Sequence, residues 1–219
     1  MPEEPNVAIG LNLLKRLLER GFTIGREEAK EYRDYLKMLL VKGVMVEYKE
    51  CFKGLPECGL LLLRNLFESG VRLETVFKSV NWRGFERVVA EMFRLHGFKV
   101  QEHFRFHVGN TRREIDLLVE TPLFFISIDC KQWVRRNYNI RSACRLQFER
   151  SLLLSKYFAE KNVRKRIYPL VITFLDSETK IMNNCLVIPV WKIGEVAEAP
   201  EVLRTLGKPV PLSQYPHLP

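Results

Sequence analysis

Arg112-Arg113-Glu114-Ile115-Asp116-Leu117-Leu118-Val119-Glu120, Thr121-Pro122, then Leu123-Phe124-Phe125-Ile126-Ser127-Ile128-Asp129-Cys130-Lys131 is the stretch on which the reading of this chain turns. Two runs with strand-like alternation flank a Thr-Pro turn signal, which predicts a β-hairpin. Successive side chains of a strand point to opposite faces. Arg112, Glu114 and Asp116 therefore share one face of the first strand, and Ser127, Asp129 and Lys131 one face of the second. An even-length turn at 120–123 sets 114 opposite 129 and 116 opposite 127, so that Glu114, Asp116, Asp129 and Lys131 project together. An odd-length loop or a bulge would break that deduction. Like charges on adjacent strands repel, and a divalent cation removes the repulsion. Mg²⁺ takes one or two carboxylates together with water and substrate phosphate. Lys131, two residues beyond Asp129, can orient a water and offset charge developing on phosphorus.

Working outward, Phe85, Val88, Val89, Met92 and Phe93 form the apolar stripe of a helix that stops at Gly97. Strand-like runs follow at 98–107, 112–120 and 123–131. Leu146, Leu153, Leu154, Tyr157 and Phe158 mark a long amphipathic helix, and two more strands are expected at about 167–175 and 184–191. Helix, three strands, helix and two strands predict an α/β unit built on a mixed central sheet flanked by helices. Residues 1–79 read differently. Ile9, Leu13, Leu14, Leu17 and Leu18 have helical spacing closed by Gly21, and further helical patterns cover 27–41, 57–68 and 72–79 around a short strand at 44–46. The expected organisation is a mostly helical N-terminal domain over 1–79, winged-helix-like in pattern, an α/β domain over 80–208 and a loosely ordered Pro-rich tail over 209–219.

Lys and Arg number 35 against 26 Asp and Glu, for a formal charge of +9, which suits a polyanionic partner. Residues 1–78 hold 13 basic and 12 acidic side chains, whereas 131–166 hold eleven basic residues against Glu149 and Glu160 alone. No apolar run approaches the roughly 20 residues of a membrane span, so no membrane partner is expected. The acidic, proline-bearing start Met1-Pro2-Glu3-Glu4-Pro5 is unlike a secretory signal. Five scattered cysteines without a CxxC pair read as core thiols of a cytoplasmic protein.

The pattern acid-x-Lys alone says little, since it occurs at 28–30, 47–49, 129–131 and 178–180. Only Asp129-Cys130-Lys131 ends an apolar strand, follows a carboxylate-bearing strand and precedes a basic segment. Trp82-Arg83-Gly84-Phe85-Glu86, His96-Gly97-Phe98-Lys99-Val100, Glu114-Ile115-Asp116-Leu117-Leu118-Val119 and Ile126-Ser127-Ile128-Asp129-Cys130-Lys131-Gln132-Trp133 together resemble the PD-(D/E)XK nuclease superfamily. The likeness is to its Mrr-type restriction endonucleases and archaeal Holliday junction resolvases, over about residues 82–190. It implies a restriction-endonuclease-like fold, with Glu86, Asp116 and Asp129 gathering Mg²⁺ or Mn²⁺ and Lys131 assisting the attacking water. It also implies a helix glutamine after the triplet, for which Gln147 is the candidate. Ile115 stands where the family's name has proline, and Asp129 where many members have glutamate.

Trp133 and Tyr138, interleaved with Arg135, Arg136, Arg141 and Arg145, offer rings for bases and guanidiniums for phosphates. The arginines of 141–150 read equally as a solvated helix face. Glu114 is a second-tier candidate, either a neighbour of the metal or a cross-strand partner of Arg112 or Arg113. His103 and His107, on one side of a strand roughly 13 Å apart, are too far apart for a zinc pair. The expectation is a metal-dependent DNA endonuclease, with RNA open on the same chemistry and dimerisation compatible with cutting two strands. The alternative is an inactive nuclease-fold module that binds DNA.

Overall fold

The computed structural model describes residues 6–55, 57–132, 139–173 and 180–211. The chain divides into two compact units, Met1–Glu91 and Met92–Pro219. In the first, α1 (Val7–Glu19), β1 (Thr23–Gly25), α2 (Arg26–Ala29), α3 (Arg33–Val41), β2 (Met45–Tyr48), β3 (Cys51–Gly54), α4 (Glu57–Glu68) and α5 (Leu73–Ser79) follow one another. Asn6 caps α1 by accepting the Ala8 N–H at 3.0 Å, and Leu13, Leu14, Leu17 and Leu18 of the predicted stripe are wholly buried. The structure adds two strands to the one expected. β3 lies between β1 and β2 in an antiparallel sheet, with β2 and β3 joined as a hairpin.

Helix α6 (Trp82–Leu95) carries the boundary between the units, which falls at 91/92 instead of near 79/80. Arg87, in the first part of α6, donates to the Leu18 carbonyl of α1, and Asn81 donates to Glu19 at 3.2 Å. These bonds attach the start of the helix to the first unit.

The second unit is mixed α/β. Its sheet has six strands: β4 (Lys99–Val108), β5 (Thr111–Glu120), β6 (Phe124–Lys131), β7 (Arg166–Thr173), β8 (Lys180–Met182) and β9 (Cys185–Pro189), in the order β4-β5-β6-β7-β9-β8. The first two pairings are antiparallel, β6-β7 and β7-β9 are parallel, and β8 is an antiparallel edge too short to announce itself in the sequence. Helix α7 (Ile140–Glu160) connects β6 to β7, and α8 (Ile193–Glu198) and α9 (Val202–Leu206) close the described chain. Strands β6 and β7 are buried almost throughout, as parallel strands covered on both faces are.

Helix α7 covers one face of the sheet. Phe104 and Phe106 of β4 meet Tyr157, their ring centroids 5.9 and 5.5 Å away, and Phe125 of β6 stacks on Phe158 at 4.7 Å. On the other face the last turn of α6 reaches β4, where Arg94 pairs with Glu102 at 2.8 Å. No helix among the described residues is long and apolar enough to cross a membrane. The tail expected to be loose from 209 begins packed. Val210 is buried and donates to the Ile167 carbonyl at 2.9 Å, and Ser155 donates to that of Pro211 at 3.1 Å.

Candidate active site

The hairpin forms, two residues out of the expected register. Leu118 stands opposite Ser127 and Leu117 opposite Ile128, where the sequence reading set Asp116 opposite Ser127. The reason lies in the turn. The Thr121 hydroxyl accepts the Phe124 N–H at 3.0 Å and donates to the Phe124 carbonyl at 2.8 Å, so the loop closes at 121 and 124 with Pro122 as its first turn residue. A slip of two preserves the parity of faces, so Asp129 and Lys131 keep a common side.

The ladder between β5 and β6 ends at Leu117 and Ile128. Beyond that point the Asp116 carboxylate accepts the Cys130 N–H at 2.9 Å, a side chain taking the place of a backbone acceptor. Asp116 thus sits in the fork where the strands part, close enough to Asp129 for their charges to interact. Burial, then the Asp129 charge, push the Asp116 carboxyl up to about 6, against the pull of the Cys130 N–H, Lys131 and Arg150.

Asp129 is 1% exposed. A buried carboxylate needs compensation, and two cations provide it. Lys131 Nζ lies 2.8 Å from each Asp129 oxygen, and an Arg150 guanidinium nitrogen from α7 lies 2.9 Å from Oδ1. With Asp116 and Asp129 ionised, the two acids and two bases balance. Arg150 was not singled out by sequence, where it read as part of a solvated helix face. The available signal was its spacing, three residues after Gln147, which puts both on one side of the helix.

Gln147 is wholly buried and its Nε2 donates to the Ser127 carbonyl at 2.7 Å and the Ser127 hydroxyl at 2.9 Å. Opposite Ser127 stands Pro169, which has no N–H to give the ladder. Gln147 is therefore a side-chain donor where the sheet lacks a backbone one, and it fixes α7 two residues upstream of Asp129. Gln147→Leu strips both bonds from buried Ser127 and is expected to cost about 1–3 kcal/mol, read as a shift in the denaturation midpoint at unchanged slope. A midpoint within experimental error of the parent would mean the contact contributes nothing.

Glu114 does not join the pair. Its carboxylate meets Arg105 at 2.7 Å and His103 at 3.2 Å, and the Arg105 hydrogen bond holds its pKa below the usual carboxylate value. Glu114 faces Arg105 directly across the ladder, and Arg105 lies between the two phenylalanines that touch α7, so Glu114 is on the opposite face from Asp129. The alternation changes phase near Asp116. The β4–β5 ladder passes over His103 and Asp116, and His103 takes a left-handed φ of 50° in mid-strand. Ile115 and Leu118 accordingly both reach the core beneath α7. Such strain concentrates at functional sites.

Glu86 is buried, 6% exposed, and belongs to the first unit, as does Glu91, which is wholly buried. Among the described residues no three His, Cys, Asp or Glu side chains gather into one metal-binding group. Arg141 and Arg145 are exposed at the start of α7, Arg145 paired with Glu149 at 2.8 Å. Trp133, Arg135, Arg136 and Tyr138 lie outside the described residues.

A cleft of about 570 Å³ adjoins the pair. It is lined by Arg113 of β5 and by Leu146, Glu149, Arg150, Leu152, Leu153 and Lys156 of α7. Arg150 belongs to both the cleft and the Asp129 ion pair.

No protein-family profile matches the chain. It is similar to an uncharacterized protein of Archaeoglobus fulgidus, 24% identical over 116 residues that cover 53% of this chain and 88% of that protein. Two crystal structures are similar in part. One, a protein of unknown function called AF1548, shares 19% identity at a TM-score of 0.30 over 40% of this chain and 44% of its own. The other, VC1899 from Vibrio cholerae, shares 10% identity at a TM-score of 0.38 over 93% of this chain and 52% of its own. None of these names states an activity.

Proposed function

We propose that the second unit hydrolyses phosphodiester bonds of DNA in the presence of Mg²⁺ or Mn²⁺, on a restriction-endonuclease-like sheet related to the PD-(D/E)XK nucleases. The observation that carries this reading is the fork itself. Asp116 at the parting of two strands, Asp129 on the next strand and Lys131 two residues on meet in one pocket.

The donor set fits a hard cation, since Mg²⁺ accepts one or two carboxylates and leaves positions for water and phosphate. Asp116, held near 6 by burial and by its neighbour's charge, is the group whose ionisation a cation favours. Asp116 and Asp129 would hold the ion, with Glu86 as the further ligand the resemblance implies. A bound cation would polarise the phosphate and activate water. Lys131 orients the attacking water and offsets charge on the phosphoryl oxygens from its place on Asp129. Arg141 and Arg145, with the basic segment around 135–138, serve as phosphate contacts. In the first unit, three helices and a three-stranded sheet ending in a hairpin make a winged-helix-like module. Its exposed Arg33, Lys37, Lys49 and Lys53 suit nucleic-acid backbone.

Incubation with plasmid, single-stranded and branched DNA, and with RNA, is expected to give cleavage with Mg²⁺ or Mn²⁺ and none with EDTA. Asp116→Ala and Lys131→Ala should each lower the rate about 100-fold or more, and full activity in either would overturn the assignment.

One observation favours the non-catalytic alternative: Lys131 and Arg150 already neutralise Asp129 without any metal. Calorimetry separates the two readings. Salt-sensitive DNA binding without Mn²⁺ binding would make the chain a scaffold for DNA, whereas Mn²⁺ binding lost in Asp129→Asn supports the enzyme.

A further inference from the structure

Lys131 alone supplies one positive charge for the one charge of Asp129, yet Arg150 is spent on the same carboxylate. Its side chain is 29% exposed and also forms part of the cleft wall. The cleft is basic in excess of its acids. Glu149 is tied to Arg145, while neither Arg113 nor Lys156 has an ion-pair partner among the described residues. Three leucines complete the lining, an apolar surface beside cations such as a nucleotide strand can lie against.

A divalent cation entering between Asp116 and Asp129 would upset the balance of two acids and two bases. Lys131, next but one to Asp129 on the same strand, stays beside the ion. Arg150 is held by the carboxylate alone, and its long side chain is hinged on a different element. Repulsion from the ion and attraction to a phosphate in the cleft both draw it the same way.

We propose that Arg150 works in two positions. Without a cation it rests on Asp129; with one it turns into the cleft and clamps a backbone phosphate of the bound nucleic-acid strand, between Arg113 and Lys156. This inference rests on the carboxylate pair as a cation site and makes binding of the strand depend on binding of the ion. Arg150 is then a positioning residue whose release reports that the metal has arrived.

The test is fluorescence anisotropy of a labelled oligonucleotide with the full chain, in EDTA and in Ca²⁺, which fills hard-oxygen sites. Ca²⁺ is expected to tighten wild-type binding about tenfold, the order of one charge-assisted contact. Arg150→Ala should bind within about twofold of wild type in EDTA and lose the Ca²⁺-dependent gain, and Arg150→Lys should recover part of it. Arg113→Ala with Lys156→Ala should weaken binding in both buffers and flatten the salt dependence by about one unit of slope. Circular dichroism checks that each variant is folded. If the gain is absent in wild type, or survives in folded Arg150→Ala, the inference is overturned. If the gain depends on Arg150 while no cleavage occurs with Mg²⁺ or Mn²⁺, the inference stands as a cation-gated binding device and the hydrolytic reading falls.

Discussion

Asp129→Asn is expected to lower Mg²⁺-dependent hydrolysis by about a thousandfold or more while leaving the second unit folded. The amide keeps the volume of the carboxylate at a position 1% exposed, so no cavity opens beneath α7. It loses the charge that a hard cation requires and that anchors both Lys131 at 2.8 Å and Arg150 at 2.9 Å. Ion binding and lysine placement therefore fail together, and the loss should exceed that of Lys131→Ala, which removes one charge and leaves both carboxylates. The measurement is single-turnover cleavage of a labelled duplex alongside calorimetric Mn²⁺ binding. A rate within tenfold of wild type would remove Asp129 from the machinery.

The second large effect runs in the other direction. Asp116→Asn should stabilise the cation-free protein at pH 8 by about 2–3 kcal/mol, while abolishing metal binding. The sign follows from linkage. The folded carboxyl titrates at about 6 and the ordinary group at 3.8, so the folded state holds the proton more tightly. The stability this provides is fully present below about pH 4 and is lost as pH rises through about 6. Above that, the native state carries two neighbouring carboxylates in a mostly buried fork. Asn removes that cost and still accepts the Cys130 N–H. Thermal melts in EDTA should show the variant a few degrees above wild type at pH 8 and level with it near pH 4. A variant no more stable than wild type at pH 8 would mean that the two carboxylates do not repel across the fork. Stability gained on losing the function is the expected mark of a site built against the fold's own preference.

Much of the site was readable before any coordinates because it depends on parity. Alternation along a strand and an even-length turn put Asp129 and Lys131 on one side, and a register error of two residues did no damage to that conclusion. The error arose because the Thr121 hydroxyl decides where the loop closes, and a side-chain bond within a turn has no periodicity to betray it. Glu114 shows where parity fails. One left-handed residue at His103, facing Asp116 across two strands, changes the phase and sends Glu114 to Arg105 on the far face.

The amino-acid sequence by itself determined the mixed α/β class of the second unit, its strands and long helix, and the company of Asp129 with Lys131. All of these follow from short-range rules of spacing and burial. Tertiary structure alone decided that Asp116 sits in the fork, that Gln147 serves Ser127 opposite a proline, and that Arg150 leaves the solvated face of α7 for Asp129. Those contacts join residues 14 to 21 positions apart. They exist because a buried charge or carbonyl must find a partner wherever the packed helix brings one, and no local pattern encodes which one that will be.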